Sequence, residues 1–322
     1  MRGSSGDYSP LRSLVERGEL EKDYDNLMTE FHIAFEAREE TKKYEIETVI
    51  FARSVSSVWS IHSDHTDRTE KLIEKIEWIR NEYLMKHKPG DSVPKEMQLL
   101  KGSMRESEVD RVWALSRMPM DRVYHLRSKF YTDDFFAPMP TAEHDAKPMA
   151  DILKECQPHV ISVAFDPEGT GPDTHYKVLQ IVAASLRMAI DNGDLSEDPN
   201  PIVWGYRNVW FVFTPSDATI FVPGSGDDLD LMHETFMSCF TTQKDASFPS
   251  PHYDGPFSAW ARQIQKDQRS QLGVLLGEDW FANHEDEKVR SCDGFVFLKA
   301  MRASWFLSEV EDLRSKFEIT NR

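Results

Sequence analysis

The chain has 322 residues and a formal net charge of −17, from 38 Lys and Arg against 55 Asp and Glu. That field repels phosphate backbones, and no basic run interleaved with aromatics reverses it locally, which argues against nucleic-acid binding. Cys156, Cys239 and Cys292 lie far apart without Cys-x-x-Cys spacing, so neither a disulfide framework nor a thiolate zinc site is indicated.

The start, "MRGSSGDYSPLRSLVERGELEKD", has no apolar block of signal-peptide type. No apolar run is long enough to span a membrane. A cytoplasmic protein is therefore expected. The 40% hydrophobic content, with 8 Trp and 19 Phe, supports a substantial core, in one large α/β domain or two ordinary ones. Residues 1–30 are polar and acidic, which predicts a mobile lead-in with a short helix near Leu11 to Val15. Residues 31–322 then form the folded domain.

"FHIAFEA" (31–37) alternates apolar and polar residues and predicts a strand. "DRTEKLIEKIEWIRNEYLMKH" places Leu72, Ile76, Ile79 and Tyr83 on one helical face, with Asp67 and Thr69 near its start. After a break at "KPGDSVP", "SMRESEVDRVWALSRM" repeats the helical period through Val109, Val112 and Trp113. "DRVYHLR" (121–127) predicts a short strand, and a loop rich in Pro and Asp leads to a helix from about Met149 to Cys156.

"VISVAF" (160–165) is a buried strand that runs into the loop "DPEGTGPDTH" and then a long apolar helix. "PIVWGYRNVWFVFTPSDATIFVPG" holds three strand-type runs separated by turn chemistry. "DLDLMHETFMSCFTTQKD", "PFSAWARQIQKDQRSQLGVLLG" and "SEVEDLRSKFEI" are helical, and "GFVFLKAM" is a late strand or helix start. Strands alternating with helices predict an α/β fold with a mostly parallel sheet and helices on both faces.

Ligands of such sheets gather outside the carboxyl ends of the strands. Gly169 and Gly171 permit close backbone approach there, Pro172 suits the turn, and Asp173 or Thr174 can cap the helix. His175 then stands in the first helical turn beside the strand end. It could ligate a metal through one ring nitrogen while Asp166 or Asp173 orients the other. The alternative is a capping loop in which His175 hydrogen-bonds a carbonyl.

The span from about Met104 to Met301 resembles the carbohydrate de-N-acetylase family of PIG-L/LmbE type, in the version fused behind glucosamine-6-phosphate deaminase domains. The resemblance lies in "RESE", with Arg105 and Glu108, and in "MPMDRVYHL", "FDPEGTGPDTHYKVLQ", "GYRNVWFVF" and "SFPSPHYDGPFSAWARQIQ". It implies a Rossmann-like fold and a zinc-dependent amidohydrolase acting on an N-acetylated amino sugar. The zinc would be held by a His-Pro-x-Asp-Asp motif after the first strand and by a later histidine, which His175 matches. Zinc-bound hydroxide suits that amide hydrolysis.

No His-Pro pair occurs in this sequence, so the first strand and its ligands are expected to be lost. "HSDHTD", with His62, Asp64 and His65, is an internal substitute to be weighed against a solvated helix cap. Phe240 stands near a position where fused relatives carry a histidine. Arg207 and Lys244 are the cationic candidates for a phosphate or sugar hydroxyls, or else surface ion pairs. Three functions stay open: a zinc-dependent de-N-acetylase, a non-catalytic remnant that binds a sugar phosphate or a partner protein, and a chain named for the fused deaminase. An exposed sheet edge also predicts self-association.

Overall fold

The computed structural model describes residues 7–62, 65–88, 91–130, 138–166, 173–196, 201–207, 209, 211–246 and 253–320. The chain is mixed α/β and divides into two compact units, Met1–His125 with Thr235–Gln243, and Leu126–Glu234 with Lys244–Arg322. Among the described residues no helix is long and apolar enough to cross a membrane.

The first unit is helical: α1 (Ser9–Glu16), α2 (Tyr24–Glu36), α3 (Glu40–Val58), α4 (His65–Trp78) and α5 (Lys95–Leu115). The stretch whose composition suggests a mobile lead-in is thus largely helix. Pro10 sits in the first turn of α1, and Leu11, Leu14 and Val15 recur at helical spacing and are buried. The strand expected at 31–37 is also helix. Asp23 caps α2 by accepting from the backbone N–H of Asp25 at 3.0 Å, and the buried positions Leu27, Phe31 and Ala34 follow the helical period. Ile33, which alternation would bury with Phe31, is instead exposed. Leu72, Ile76, Ile79 and Tyr83 are all buried, as their spacing predicts.

Of the three apolar residues that mark the expected face of α5, Val112 packs against the core. Val109 and Trp113 are exposed, whereas Glu108, Asp110 and Arg111 are buried beside Met97, Leu100 and Ala114. Each buried charge has a partner, as burial requires. Arg111 donates to Glu47 at 2.6 Å, and its guanidinium lies over the Phe31 ring at 5.5 Å. Asp110 accepts from the Tyr24 hydroxyl at 2.7 Å and meets the His125 Nε2 at 2.8 Å. Glu108 accepts from the Thr242 backbone N–H at 2.6 Å and from its hydroxyl at 2.9 Å, with Arg105 3.3 Å away. Burial pushes the Cys239 thiol up to about 12, so this cysteine is inert as a nucleophile at neutral pH.

The second unit holds α6 (Lys147–Cys156), β1 (Val160–Ala164), α7 (Asp173–Asp191), β2 (Ile202–Tyr206) and β3 (Ile220–Gly224). Helix α8 (Gly226–Cys239) begins in this unit, and α9 (Phe257–Leu276), α10 (Glu278–Ala282), α11 (Glu287–Arg290), β4 (Gly294–Arg302) and α12 (Ala303–Thr320) complete it. The strand order is β1-β2-β4-β3. Only β1 and β2 are parallel among the described strands, while β4 runs antiparallel to both β2 and β3. The mostly parallel sheet expected above is therefore replaced by a mixed one. The physical reason is that β3 does not pair with β2, because β4 returns from far along the chain and inserts between them. No strand forms at 121–127, where a short helical turn at Met120–Arg122 leads into irregular chain.

One sheet face carries Val163, Val203, Phe295, Phe297 and Met301 into a core with Leu179 and Leu186 of α7 and Phe306 and Val310 of α12. On the opposite face Val160, Tyr206, Val222 and Val296 remain exposed, so cover by helices on both faces is not realised at these positions.

The α5 network yields a stability prediction. Removing one partner of a buried ion pair strands the other charge and typically costs 3–5 kcal/mol. Glu47 is partly exposed and can reach water, so Arg111→Ala is expected to destabilise the protein by about 3 kcal/mol in chemical denaturation. A loss below about 0.5 kcal/mol, the range of ordinary surface changes, would show that the pair does not hold α5 in place.

Candidate functional site

Strands β1 and β2 are parallel and in register from Val160↔Ile202 to Ala164↔Tyr206. Their carboxyl ends therefore lie at one rim. The pairing extends one residue further, because the Phe165 N–H donates to the Tyr206 carbonyl at 2.8 Å. Asp166 and Arg207 each follow the last bonded residue of their own strand, past the sheet end.

Gly205 makes this closure possible. A Cβ there would lie 2.7 Å from the Phe165 Cβ, so only glycine lets the buried Phe165 side chain rest against β2. Phe165 in turn packs near Phe306 at a centroid distance of 6.2 Å. The residue before Asp166 is thereby fixed on both sides.

His175 lies in the first turn of α7 and is half-buried. Burial pushes its pKa down, against the smaller upward pull of the Asp166 carboxylate, so the ring favours its neutral form. Asp173 is turned elsewhere. It pairs with the Lys177 ammonium at 2.7 Å and is itself exposed, which leaves Asp166 as the carboxylate acting on the imidazole. The loop residues Gly169, Gly171 and Pro172 lie outside the described residues.

On the β2 side, the Arg207 guanidinium lies over the buried Phe213 ring at 4.8 Å. Burial raises the pKa of Tyr206. Asp217, whose carboxylate accepts from the Thr214 hydroxyl at 2.7 Å, is held below the usual carboxylate range by that bond first, with further help from Lys299 and Arg207. Lys299 was missed by sequence reasoning. It sits on β4 in register with Gly205, and its Nζ lies over the Trp305 ring at 4.8 Å. Only the strand order, which the sequence does not spell out, brings it beside β2.

The remaining candidates fall elsewhere. Lys244 is exposed in the turn after α8. His62 is exposed and His65 opens α4, while Asp64 lies outside the described residues. Phe240 packs on Phe236 at 5.3 Å within the helical unit. Arg105 and Glu108 belong to the α5 network. A catalytic zinc site needs about three protein ligands. Among the described residues no group of three His, Cys, Asp or Glu side chains could hold a metal.

No family model matches this sequence, and no solved structure matches it. A curated protein of Bacteroides thetaiotaomicron, named "Putative glucosamine-6-phosphate deaminase-like protein", is 27% identical to it over 179 residues. That similarity covers 54% of this chain and 26% of the relative, so the chain spans about a quarter of the length of the protein it matches.

Two predictions follow from the geometry of the rim. Gly205→Ala is expected to cost about 1–3 kcal/mol through overpacking against Phe165, read as a lower denaturation midpoint. An unchanged midpoint would mean that the close approach carries no constraint. The second concerns pH. Above the unfolded pKa of 6.5 His175 is neutral in both states and contributes nothing. As pH falls through that value the unfolded chain takes up the proton first, so stability is lost until the lower, folded pKa is reached. The thermal midpoint of the wild type should therefore fall further than that of His175→Gln between about pH 7.5 and pH 5.5. Equal falls would show that burial does not hold the ring neutral.

Proposed function

We propose that the second unit binds a phosphorylated amino sugar at the rim where β1 and β2 end, and that the chain serves amino-sugar metabolism as a binding module. The observation that carries this reading is the Asp166 carboxylate acting on His175 past the end of β1, with Arg207 next after the last residue of the parallel strand β2. Asp166 offers a carboxylate for a sugar ammonium, His175 a neutral ring for hydroxyls, and Arg207 a guanidinium for phosphate oxygens. The name of the similar Bacteroides protein supports glucosamine 6-phosphate as the first ligand to try.

Calorimetric titration of the purified chain tests this. Glucosamine 6-phosphate is expected to bind with a Kd of about 1 mM or tighter, more strongly than glucose 6-phosphate. Asp166→Asn should weaken the amino sugar by about tenfold, which is about 1.4 kcal/mol, and leave glucose 6-phosphate unaffected. No binding of either sugar, or no preference for the amine, would overturn the reading.

A second reading, hydrolysis of an N-acetyl sugar amide, is favoured by the neutral imidazole of His175 and by the motifs that resemble PIG-L/LmbE proteins. Release of acetate from N-acetylglucosamine 6-phosphate, with a stoichiometric zinc that is lost in His175→Ala, would establish it in place of binding alone. Release of ammonia from glucosamine 6-phosphate would instead mark a deaminase.

A further inference from the structure

We propose that β1 pairs edge to edge with β1 of a second copy of this chain, antiparallel and about a two-fold axis at Ser162. The pairing does not depend on the amino-sugar reading.

The hydrogen bonds of β1 carry the first step. The Ile202 N–H donates to the His159 carbonyl at 2.9 Å, and the Phe165 N–H donates to the Tyr206 carbonyl at 2.8 Å. With the parallel register between them, the odd-numbered residues of β1 bond to β2 and the even-numbered ones turn their backbone groups outward. Val160, Ser162 and Ala164 therefore each present an N–H and a carbonyl on the far side from β2. β1 is a terminal strand of the sheet, and among the described residues none of these groups has a hydrogen-bond partner. Val160, a β-branched residue in mid-sheet sequence, is 40% exposed, and Ser162 is exposed as well.

Edge strands are ordinarily blunted by charge, proline or a bulge. The opposite edge, β3, carries Pro223, which has no N–H to offer. β1 has none of these devices. Its register with β2 is unbroken, and residues 157–165 contain no Asp, Glu, Lys or Arg. Two chains that each carry a net charge of −17 repel one another, and an uncharged edge is where they approach at least cost.

Self-complementarity selects a second copy as the occupant, because a two-fold contact needs one patch that fits itself. About an axis at Ser162, Val160 of each copy stands opposite Ala164 of the other, a larger side chain against a smaller one. Ser162 stands opposite Ser162, where two hydroxyls can bond. Each of the three residues donates one backbone hydrogen bond and accepts one, so no outward group is left over. A shift of one residue would set outward groups against groups already bound to β2. At about 3.3 Å of rise per residue, the Asp166 positions of the two copies lie about 26 Å apart, so the two rims remain separate.

Sedimentation equilibrium of the full chain at high micromolar concentration is expected to show twice the 37.2 kDa chain mass, with more dimer as salt screens the repulsion. Ser162→Lys sets two ammonium groups face to face and should weaken the dimer by about tenfold or more, whereas Ser162→Thr retains it. An unchanged far-ultraviolet circular dichroism spectrum separates lost pairing from lost folding. Val222→Lys, on β3, should leave the dimer intact.

Disulfide trapping reads the register, in a Cys156→Ser background that removes the exposed native thiol. Ser162→Cys should cross-link to itself, since hydrogen-bonded antiparallel partners have Cα atoms about 5.5 Å apart. Val160→Cys alone should not, its two copies lying about 13 Å apart, but it should cross-link when mixed with Ala164→Cys. A chain that stays monomeric in elevated salt would overturn the proposal, as would a dimer that Ser162→Lys leaves intact. Cross-linking of Val160→Cys to itself, with none of Ser162→Cys, would overturn the axis at Ser162.

Discussion

Two parallel strands that share a register must end on the same side, and the candidate site depends on that constraint. The β1–β2 pair brings two loops to one rim without any ligand to draw them together. Phe165 carries the pairing one residue past the strands, and the absence of a side chain at Gly205 gives its ring a seat. Asp166 and Arg207 inherit their positions from those two contacts. An antiparallel neighbour contributes differently. Strand β4 passes the rim in mid-course, so it offers a side chain from its interior, Lys299, where a parallel strand would offer a loop.

The helical unit uses charge for another purpose. Its α5 helix buries Glu108, Asp110 and Arg111, and each is matched by a partner on another element or in the Thr241–Gln243 turn. Buried pairs of this kind give little net stability, because desolvation offsets most of the attraction. Their value lies in the cost of breaking them. Any other rotation of α5 would bury the same charges without partners, so the network selects one packing among several that hydrocarbon alone would accept. Cys239, with its thiol pushed up by burial, takes part as a small apolar group.

How much of this could be read from the sequence followed from the strength of local periodicity. The face of α4 was legible because Leu72, Ile76, Ile79 and Tyr83 repeat at helical spacing with polar residues between them, and the β1-to-α7 order because a β-branched run precedes a polar loop and an apolar helix. In α2 a short alternating fragment, Phe31, Ile33 and Phe35, imitated a strand, and the Asp23 cap that decides the matter lies eight residues upstream of Phe31. In α5 Val109 and Trp113 misled, because partners far along the chain neutralise the charged residues that are buried instead. Asp166, His175 and Arg207 could be picked out as residues near strand ends. Lys299 could not, since its place beside Gly205 depends on β4 inserting between β2 and β3, and no local pattern encodes strand order.

The overall charge of −17 and the phosphate binding proposed for the rim are compatible for a reason of scale. At physiological ionic strength the field of a surface charge decays over about 8 Å, so carboxylates elsewhere on the molecule are largely screened from the rim. What a small anion meets there is set by the groups near it, Arg207 among them, whose guanidinium rests over the polarizable face of the Phe213 ring. A long polyanion samples many such distances at once and meets the acidic surface as well. A charge distribution expected to repel a nucleic-acid backbone can therefore leave a single phosphate free to approach.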